Sequence, residues 1–321
     1  MAERSGEALL ELVRPINEAA PRAGYGGVYA GASIYIFEKI ALYRALALNI
    51  FEITMPNRAF TAVFSLIAGL AMGGAISPEI ALSGSLALIA TYGCGAVYNN
   101  IRDIEADKIN AAGRPLASGA LSVGFAQWLM SILVVGGIAL AYIASPILAA
   151  ACILESVLGV IYSRFTKAMG VLAYATLVTT HMAVPLAAGA LISGGFGIQT
   201  LAVILFLYVT EVLAVSIKDY KDIEGDRKTG LRTLPIIYGA RDASRLTFLG
   251  LCLPLILVWI PWGLFGLSTV FLAMYLAIGV SRFRTGRKIL EDQSPEQAGK
   301  ALNSFRLITT MEMVAWCLAW I

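Results

Sequence analysis

Residues 80–107 read IALSGSLALIATYGCGAVYNNIRDIEAD. Ile80–Val97 carries no charged side chain, whereas Tyr98–Asp107 carries three acids and an arginine. An apolar run of this length suits a membrane-crossing helix, which needs roughly 17–25 residues. Its abrupt end in carboxylates sets both the fold reading and the functional one.

The rest of the chain repeats the apolar half of that pattern. Of 321 residues, 58% are hydrophobic and 14% charged, and the mean hydropathy is +0.76. A soluble domain carries nearer a quarter charged residues. Further apolar blocks fall at Ala59–Gly74, Phe125–Ile143, Ile147–Tyr162, Val171–Ile192, Leu201–Ile217, Phe248–Leu264, Val270–Val280 and Leu302–Ile321. The expected fold is all-α: a polytopic membrane protein with about nine transmembrane helices around a central cavity. Trp316 and Trp320 in the last block suit a membrane interface. Val28–Phe51, interrupted by Glu38, Lys39 and Arg44, reads as an interfacial helix rather than a tenth span, because charges at mid-depth are costly. Residues 1–52 are expected to form an N-terminal extension, and residues 53–321 the transmembrane domain. Met1–Arg22 mixes acids and bases and lacks the pattern of a signal sequence.

Charge placement orients the chain. The connections after the second, fourth, sixth and eighth blocks hold 18 of the 24 basic residues, and the alternate connections hold none. Basic loops stay cytoplasmic, so the acidic segment at residues 98–107 is expected on the cytoplasmic side of a cell membrane. The net charge of +3 resides in these loops and does not argue for nucleic acid. Cys94, Cys152, Cys252 and Cys317 are isolated, with no metal-ligand spacing. The single histidine, His181, lies mid-span and reads as a satisfied polar residue.

A second acidic segment, KDYKDIEGD at residues 218–226, also ends an apolar block. Asn99, Asp103 and Asp107 are spaced i, i+4, i+8, and Asp219, Asp222 and Asp226 i, i+3, i+7, so each set lines one face of an α-helix. Like charges stacked this way repel, and helix C-termini disfavour anions. A bound cation offsets both. Mg²⁺ takes carboxylate oxygens and completes its shell with water and phosphates, so two facing carboxylate rows fit a Mg²⁺–diphosphate.

These residues carry a family resemblance. Residues 99–107 resemble the N-D-x-x-D-x-x-x-D motif of the UbiA superfamily of intramembrane prenyltransferases, with Asn100 standing where Asp is frequent. Residues 219–226 are similar to that superfamily's D-x-x-D-x-x-G-D. The loops NAAGRPLASG (110–119) and GLRTLPIIYG (230–239), the Tyr162–Lys167 stretch and the Pro56-Asn57 entry also resemble family features. The resemblance covers about residues 53–321 and implies nine helices. It further implies Mg²⁺-dependent transfer of a prenyl group from a prenyl diphosphate to a lipophilic acceptor, a quinone precursor or an archaeal-type glycerophospholipid precursor.

On that reading Asn99, Asp103 and Asp107 hold one Mg²⁺, and Asp219, Asp222 and Asp226 the other. Lys167, Arg114, Lys218 and Arg58 are expected to contact the diphosphate, with Asn57 beside Arg58. The ring face of Tyr162 would steady an allylic cation. Intramembrane acids face cavities or partners. For Glu211, which shares a helical face with Lys218, two readings stand: lining the acceptor pocket, or a buried packing role. Glu155 is the other such acid. The competing classes are a transporter or channel, which needs broken helices and mid-membrane polar groups, and a CDP-alcohol phosphotransferase, whose Asp-Gly run is absent from this sequence.

Overall fold

The computed structural model describes residues 26–74 and 76–320, with side chains from residue 38 onward. Met1–Arg22 lies outside the described residues. Among these, every regular element is helical. In chain order the helices are α1 (Gly26–Thr54), α2 (Phe60–Met72), α3 (Pro78–Arg102), α4 (Ile104–Asn110), α5 (Val123–Ala144), α6 (Pro146–Arg164), α7 (Val171–Val178), α8 (Val184–Ser193), α9 (Ile198–Glu211), α10 (Ile223–Lys228), α11 (Leu234–Ile237), α12 (Ala240–Leu257), α13 (Trp259–Phe265), α14 (Thr269–Glu291) and α15 (Pro295–Cys317). A π turn, Thr179–Ala183, runs α7 into α8, and a 3₁₀ segment, Ala214–Asp222, leads from α9 to α10.

The sequence punctuates these helices plainly. Ser-Pro pairs open α3, α6 and α15, with Pro pre-set for the first turn. Ser77 and Ser294 accept a backbone N–H as caps, as do Ser122 before α5 and Ser268 before α14.

Each expected span coincides with helix, but the count of nine crossings is not established. Among the described residues six helical stretches are long and apolar enough to cross a membrane: Pro78–Arg102, Val123–Ala144, Pro146–Arg164, Val171–Ser193, Ile198–Lys228 and Ala240–Phe265. They define a multi-pass membrane protein. Helix α2 has 13 residues, and α14 and α15 carry charges along their length. Helix α1 is not among the six either. It packs on α3 through Leu46 and Ile53 and leaves Ile40, Leu42, Tyr43, Leu48 and Phe51 more than half exposed.

Without a hydrophobic drive between helices in lipid, small residues and polar pairs hold the bundle. Helices α2 and α8 meet at Gly69 and Gly189, where an added Cβ would strike the Leu186 and Leu66 carbonyls respectively. Ser193 Oγ donates to the Gly69 carbonyl at 3.2 Å, and Ser65 Oγ to the His181 carbonyl at 3.4 Å. Phe206, Phe271, Tyr275 and Trp316 form a core where α9, α14 and α15 converge, with the Phe271 and Trp316 ring centres 4.6 Å apart. Trp316 therefore does not sit at an interface: it is 1% exposed, and its indole donates to the Tyr275 hydroxyl at 3.1 Å.

Glu211 is also placed differently from the acceptor-pocket reading. Arg282 of α14 lies 2.8 Å from Glu211 and donates to both carboxylate oxygens of Glu312 at 2.6 Å, with all three residues at most 1% exposed. The acid reaches the nearest opposite charge within the helix packing and so turns from the cavity. Removing the cation would leave two buried carboxylates facing each other, at a cost of about 3–5 kcal/mol. Arg282→Leu should lower the thermal unfolding temperature of the detergent-solubilised protein sharply, while Arg282→Leu combined with Glu211→Gln and Glu312→Gln recovers most of it. An unchanged unfolding temperature in the single variant would show that the triad carries no such load.

Candidate active site

The two acidic segments meet at one end of a cavity of about 300 Å³. Asn99, Asp103 and Asp107 line it from the end of α3 and from α4, and Asp219, Asp222 and Asp226 from the 3₁₀ segment and α10. Arg58, Arg114, Tyr162, Lys167 and Lys218 line it as well. Of the sequence-predicted site residues, Asn57 and Glu211 are not part of its wall. Asn57 is exposed at the turn before α2.

The first segment is nearly the continuous helix that its spacing implies. Its backbone kinks at Asp103 (φ −94°, ψ 4°), yet Asp103 N–H still donates to the Asn99 carbonyl at 2.9 Å, and Asp107 N–H to that of Asp103 at 2.7 Å. The second departs from α geometry: Ala214–Asp222 is a nine-residue 3₁₀ helix. Three residues per turn eclipse i and i+3, so Asp219 and Asp222 stack more closely than an α-helix would put them. Runs of that length are uncommon and mark strain or function.

Basic side chains hold most of these acids. Lys167 pairs with Asp103, Lys218 with Asp219 and Lys221 with Asp222, and Arg114 reaches Asp107 at 2.6 Å. Asp226 is 6% exposed, and its carboxylate has no hydrogen bond or ion pair among the described residues. Burial pushes the Asp107 carboxyl above its ordinary value, against the pull of Arg114. Asn99 donates to Asp103 at 2.7 Å and accepts from Ser163 at 3.2 Å. Asn100 also lines the cavity, and its amide donates to the carbonyls of Ile53 and Ala96, which fastens the end of α1 to α3. Lys218 lies 5.8 Å above the Tyr162 ring centre and 5.6 Å above that of Tyr174.

Several residues that sequence reasoning did not single out complete the site. The Tyr174 hydroxyl donates to Asp219 at 2.5 Å and accepts the Leu234 N–H at 3.1 Å, which ties residues 233–235 to the second segment. Asn110 joins the two segments: its Nδ2 donates to the Asp222 carbonyl at 3.2 Å, and its Oδ1 accepts the Gly225 N–H at 2.8 Å. Gly225 permits this approach, since a Cβ there would strike the Asn110 amide. Lys221, Arg306 and Tyr92 also line the cavity. Deeper in the wall, Glu155 accepts from Thr91 at 2.7 Å through one oxygen, while its other oxygen is buried without a partner among the described residues. The His181 ring packs on Tyr92 at 4.9 Å, and its Nδ1 likewise lacks a partner there, so the expected satisfied histidine is not what the fold provides.

A helical membrane protein whose cavity is lined by two acid-rich segments held by basic side chains is an arrangement suited to a polyanionic substrate. Sequence comparison agrees, since the profile of the UbiA prenyltransferase family matches residues 59–310. Digeranylgeranylglyceryl phosphate synthase of Thermococcus kodakarensis is 31% identical over 271 residues, covering 84% of this chain and 96% of the relative. That of Methanoculleus marisnigri is 30% identical over 224 residues, covering 68% and 80%. A UbiA homologue from Archaeoglobus fulgidus, solved bound to GPP and Mg²⁺, shares the fold with a TM-score of 0.64 at 17% identity, covering 83% of this chain and 99% of that one. The chain belongs to the UbiA prenyltransferase family and is a membrane prenyltransferase, which sets aside the transporter and phosphotransferase readings.

Asn110→Ala removes two hydrogen bonds between the acidic segments, each worth about 1 kcal/mol. Amide exchange across residues 219–228 should quicken by roughly tenfold, with exchange in α5 and α12 unchanged. Equal exchange in variant and parent would mean that Asn110 does not hold the segments together.

Proposed function

We propose that this chain transfers a prenyl group from a prenyl diphosphate, held with Mg²⁺ between the two acidic segments, to a lipid acceptor built on glycerol phosphate. The observation that carries the reading is the convergence of both acidic segments, with four basic partners, at one end of a single cavity. The names of the Thermococcus and Methanoculleus relatives favour a glycerol phosphate acceptor over a quinone precursor. The loop charges favour placing this end of the cavity on the cytoplasmic side.

The donor set suits Mg²⁺, consisting of carboxylate and amide oxygens, with the Asp226 carboxylate in no ion pair among the described residues although Lys167 and Lys218 act on it. No group of three or more His, Cys, Asp or Glu side chains is pre-gathered for a metal among them. Mg²⁺ takes much of its shell from diphosphate and water, so the protein need supply only part of it. Asn99, Asp103 and Asp107 would hold one ion and Asp219, Asp222 and Asp226 the other. When bound, the ions supply Lewis-acid stabilisation of the departing diphosphate.

The protein's own groups have matching roles. Lys167, Arg114, Lys218 and Lys221 neutralise the aspartates in the free protein and would turn to the diphosphate oxygens when it enters, releasing carboxylates as ligands. Arg58 would add to the positive field at the edge of the cavity. In transfer the allylic carbon–oxygen bond breaks with its electron pair on diphosphate. The acceptor oxygen bonds to that carbon, and the acceptor's hydroxyl proton is released. Tyr162, beside Lys218, would present its ring to the developing allylic charge.

Asp103→Ala and Asp222→Ala should each lower diphosphate release and product formation by roughly 100-fold or more. Their thermal unfolding should stay close to that of the parent. Chelation should abolish turnover, and added Mg²⁺ restore it. Either aspartate variant turning over near the parent rate would end the two-segment reading.

A further inference from the structure

The six cations that line the cavity fall into two groups. Arg114, Lys167, Lys218 and Lys221 each hold an aspartate of the acidic segments. Arg58 and Arg306 hold none. The Arg58 guanidinium has no hydrogen bond or ion pair among the described residues, and that of Arg306 donates to a neutral partner, Asn303, at 3.1 Å. Both arginines are half-buried in the cavity wall and are electrostatic neighbours of Tyr92, Arg114 and Asp222, and Arg58 bears on Arg306.

The fold brings the two together deliberately. Arg58 stands just before α2 and Arg306 mid-way along α15, and these helices are seamed by Thr61 and Thr310, whose hydroxyls lie 3.4 Å apart, and by Cys317 Sγ on the Phe64 carbonyl at 3.4 Å. The turn that delivers Arg58 is strained. Met55, directly before Pro56, has φ 49° and ψ 47° and is the one non-glycine residue at positive φ among the described residues. Such a conformation costs about 1–3 kcal/mol and persists where surrounding structure requires it. Two guanidiniums facing one low-dielectric space repel each other, the carboxylate that attracts both, Asp222, is itself paired with Lys221, and burial works against the charge on Arg58. An anion between them relieves this, and planar guanidinium forks match the oxygens of a phosphate.

We infer that Arg58 and Arg306 form the subsite for the phosphate of the acceptor, separate from the four aspartate-paired cations that take the donor's diphosphate. This rests on the proposed transfer to a glycerol phosphate lipid and assigns Arg58 to acceptor rather than donor. The acceptor's phosphate would dock between α2 and α15, so that its nearby free hydroxyl is presented to the donor carbon. A neutral acceptor would leave the two charges uncompensated, so the pair also selects for a phosphorylated one.

The test uses the full chain in detergent micelles with geranylgeranyl diphosphate, Mg²⁺ and either a prenylglyceryl phosphate or the matching prenylglycerol without phosphate. Arg58→Gln and Arg306→Gln should each raise KM for the phosphorylated acceptor roughly 10–100-fold, leave KM for the diphosphate within about threefold, and narrow the preference for the phosphorylated over the neutral acceptor. Arg58→Lys and Arg306→Lys should recover part of the loss, and glycerol 1-phosphate should inhibit the parent competitively against the acceptor. Thermal unfolding profiles separate these effects from misfolding. A parent that converts the phosphorylated acceptor while the Gln variants keep its KM, or raise the KM of the diphosphate equally, overturns the subsite alone. A parent that turns over the neutral acceptor as well as the phosphorylated one overturns the glycerol phosphate reading and this inference with it.

Discussion

Charge balance inside a low-dielectric cavity is the constraint on which this protein turns. Six carboxylates and six cations line one cavity within a helical bundle. Uncompensated, any of them is costly, because burial raises the price of a charge and sharpens its attraction to an opposite one. The fold meets the constraint by pairing four aspartates with four basic residues, two of these pairs between sequence neighbours. Such pairs can be exchanged. A substrate carrying several negative charges, with its cations, can replace each internal pair by an external one without leaving a bare charge at any stage.

Much of this was legible in the sequence. The apolar blocks, the Ser-Pro starts and the one-sided basic loops define a helical membrane protein, and local spacing identifies the acids at its cavity. The site was less legible wherever partners are distant in sequence. Glu211 could be recognised as an intramembrane acid, but not as a partner of Arg282 and Glu312, since nothing local links three residues on three helices. Trp316 carries the composition of an interface residue and is buried because Tyr275 supplies a partner for its indole. Helical spacing also assumes ideal α geometry. The 3₁₀ helix at residues 214–222 breaks that assumption where the carboxylates must stack, and no propensity signal announces it. Tyr174, Asn110 and Arg306 escaped for a different reason, since each lies outside the acidic segments and acquires a role only through what the packing brings to it.

The cavity wall also mixes two kinds of order. Close to the acids nearly every polar group is satisfied, by a cation, an amide or a hydroxyl. Deeper, Glu155 and His181 each keep an unpartnered atom among the described residues, next to Tyr92. Buried polar groups are normally hydrogen-bonded, so this part of the wall is built for something other than an apolar chain alone.

The π turn at Thr179–Ala183 has a consequence of its own. In it the Val184 N–H donates to the Thr179 carbonyl, five residues back, so the span carries one residue more than an α-helix of the same length. At 3.6 residues per turn, one residue amounts to a rotation of about 100°. Upstream of the turn, the span faces Leu177 and Val178 into the cavity, and downstream it lays Gly189 flat against α2. A uniform helix would satisfy only one of those faces. The number of residues in 179–183 therefore matters beside their identity, for the span keeps its two allegiances by counting.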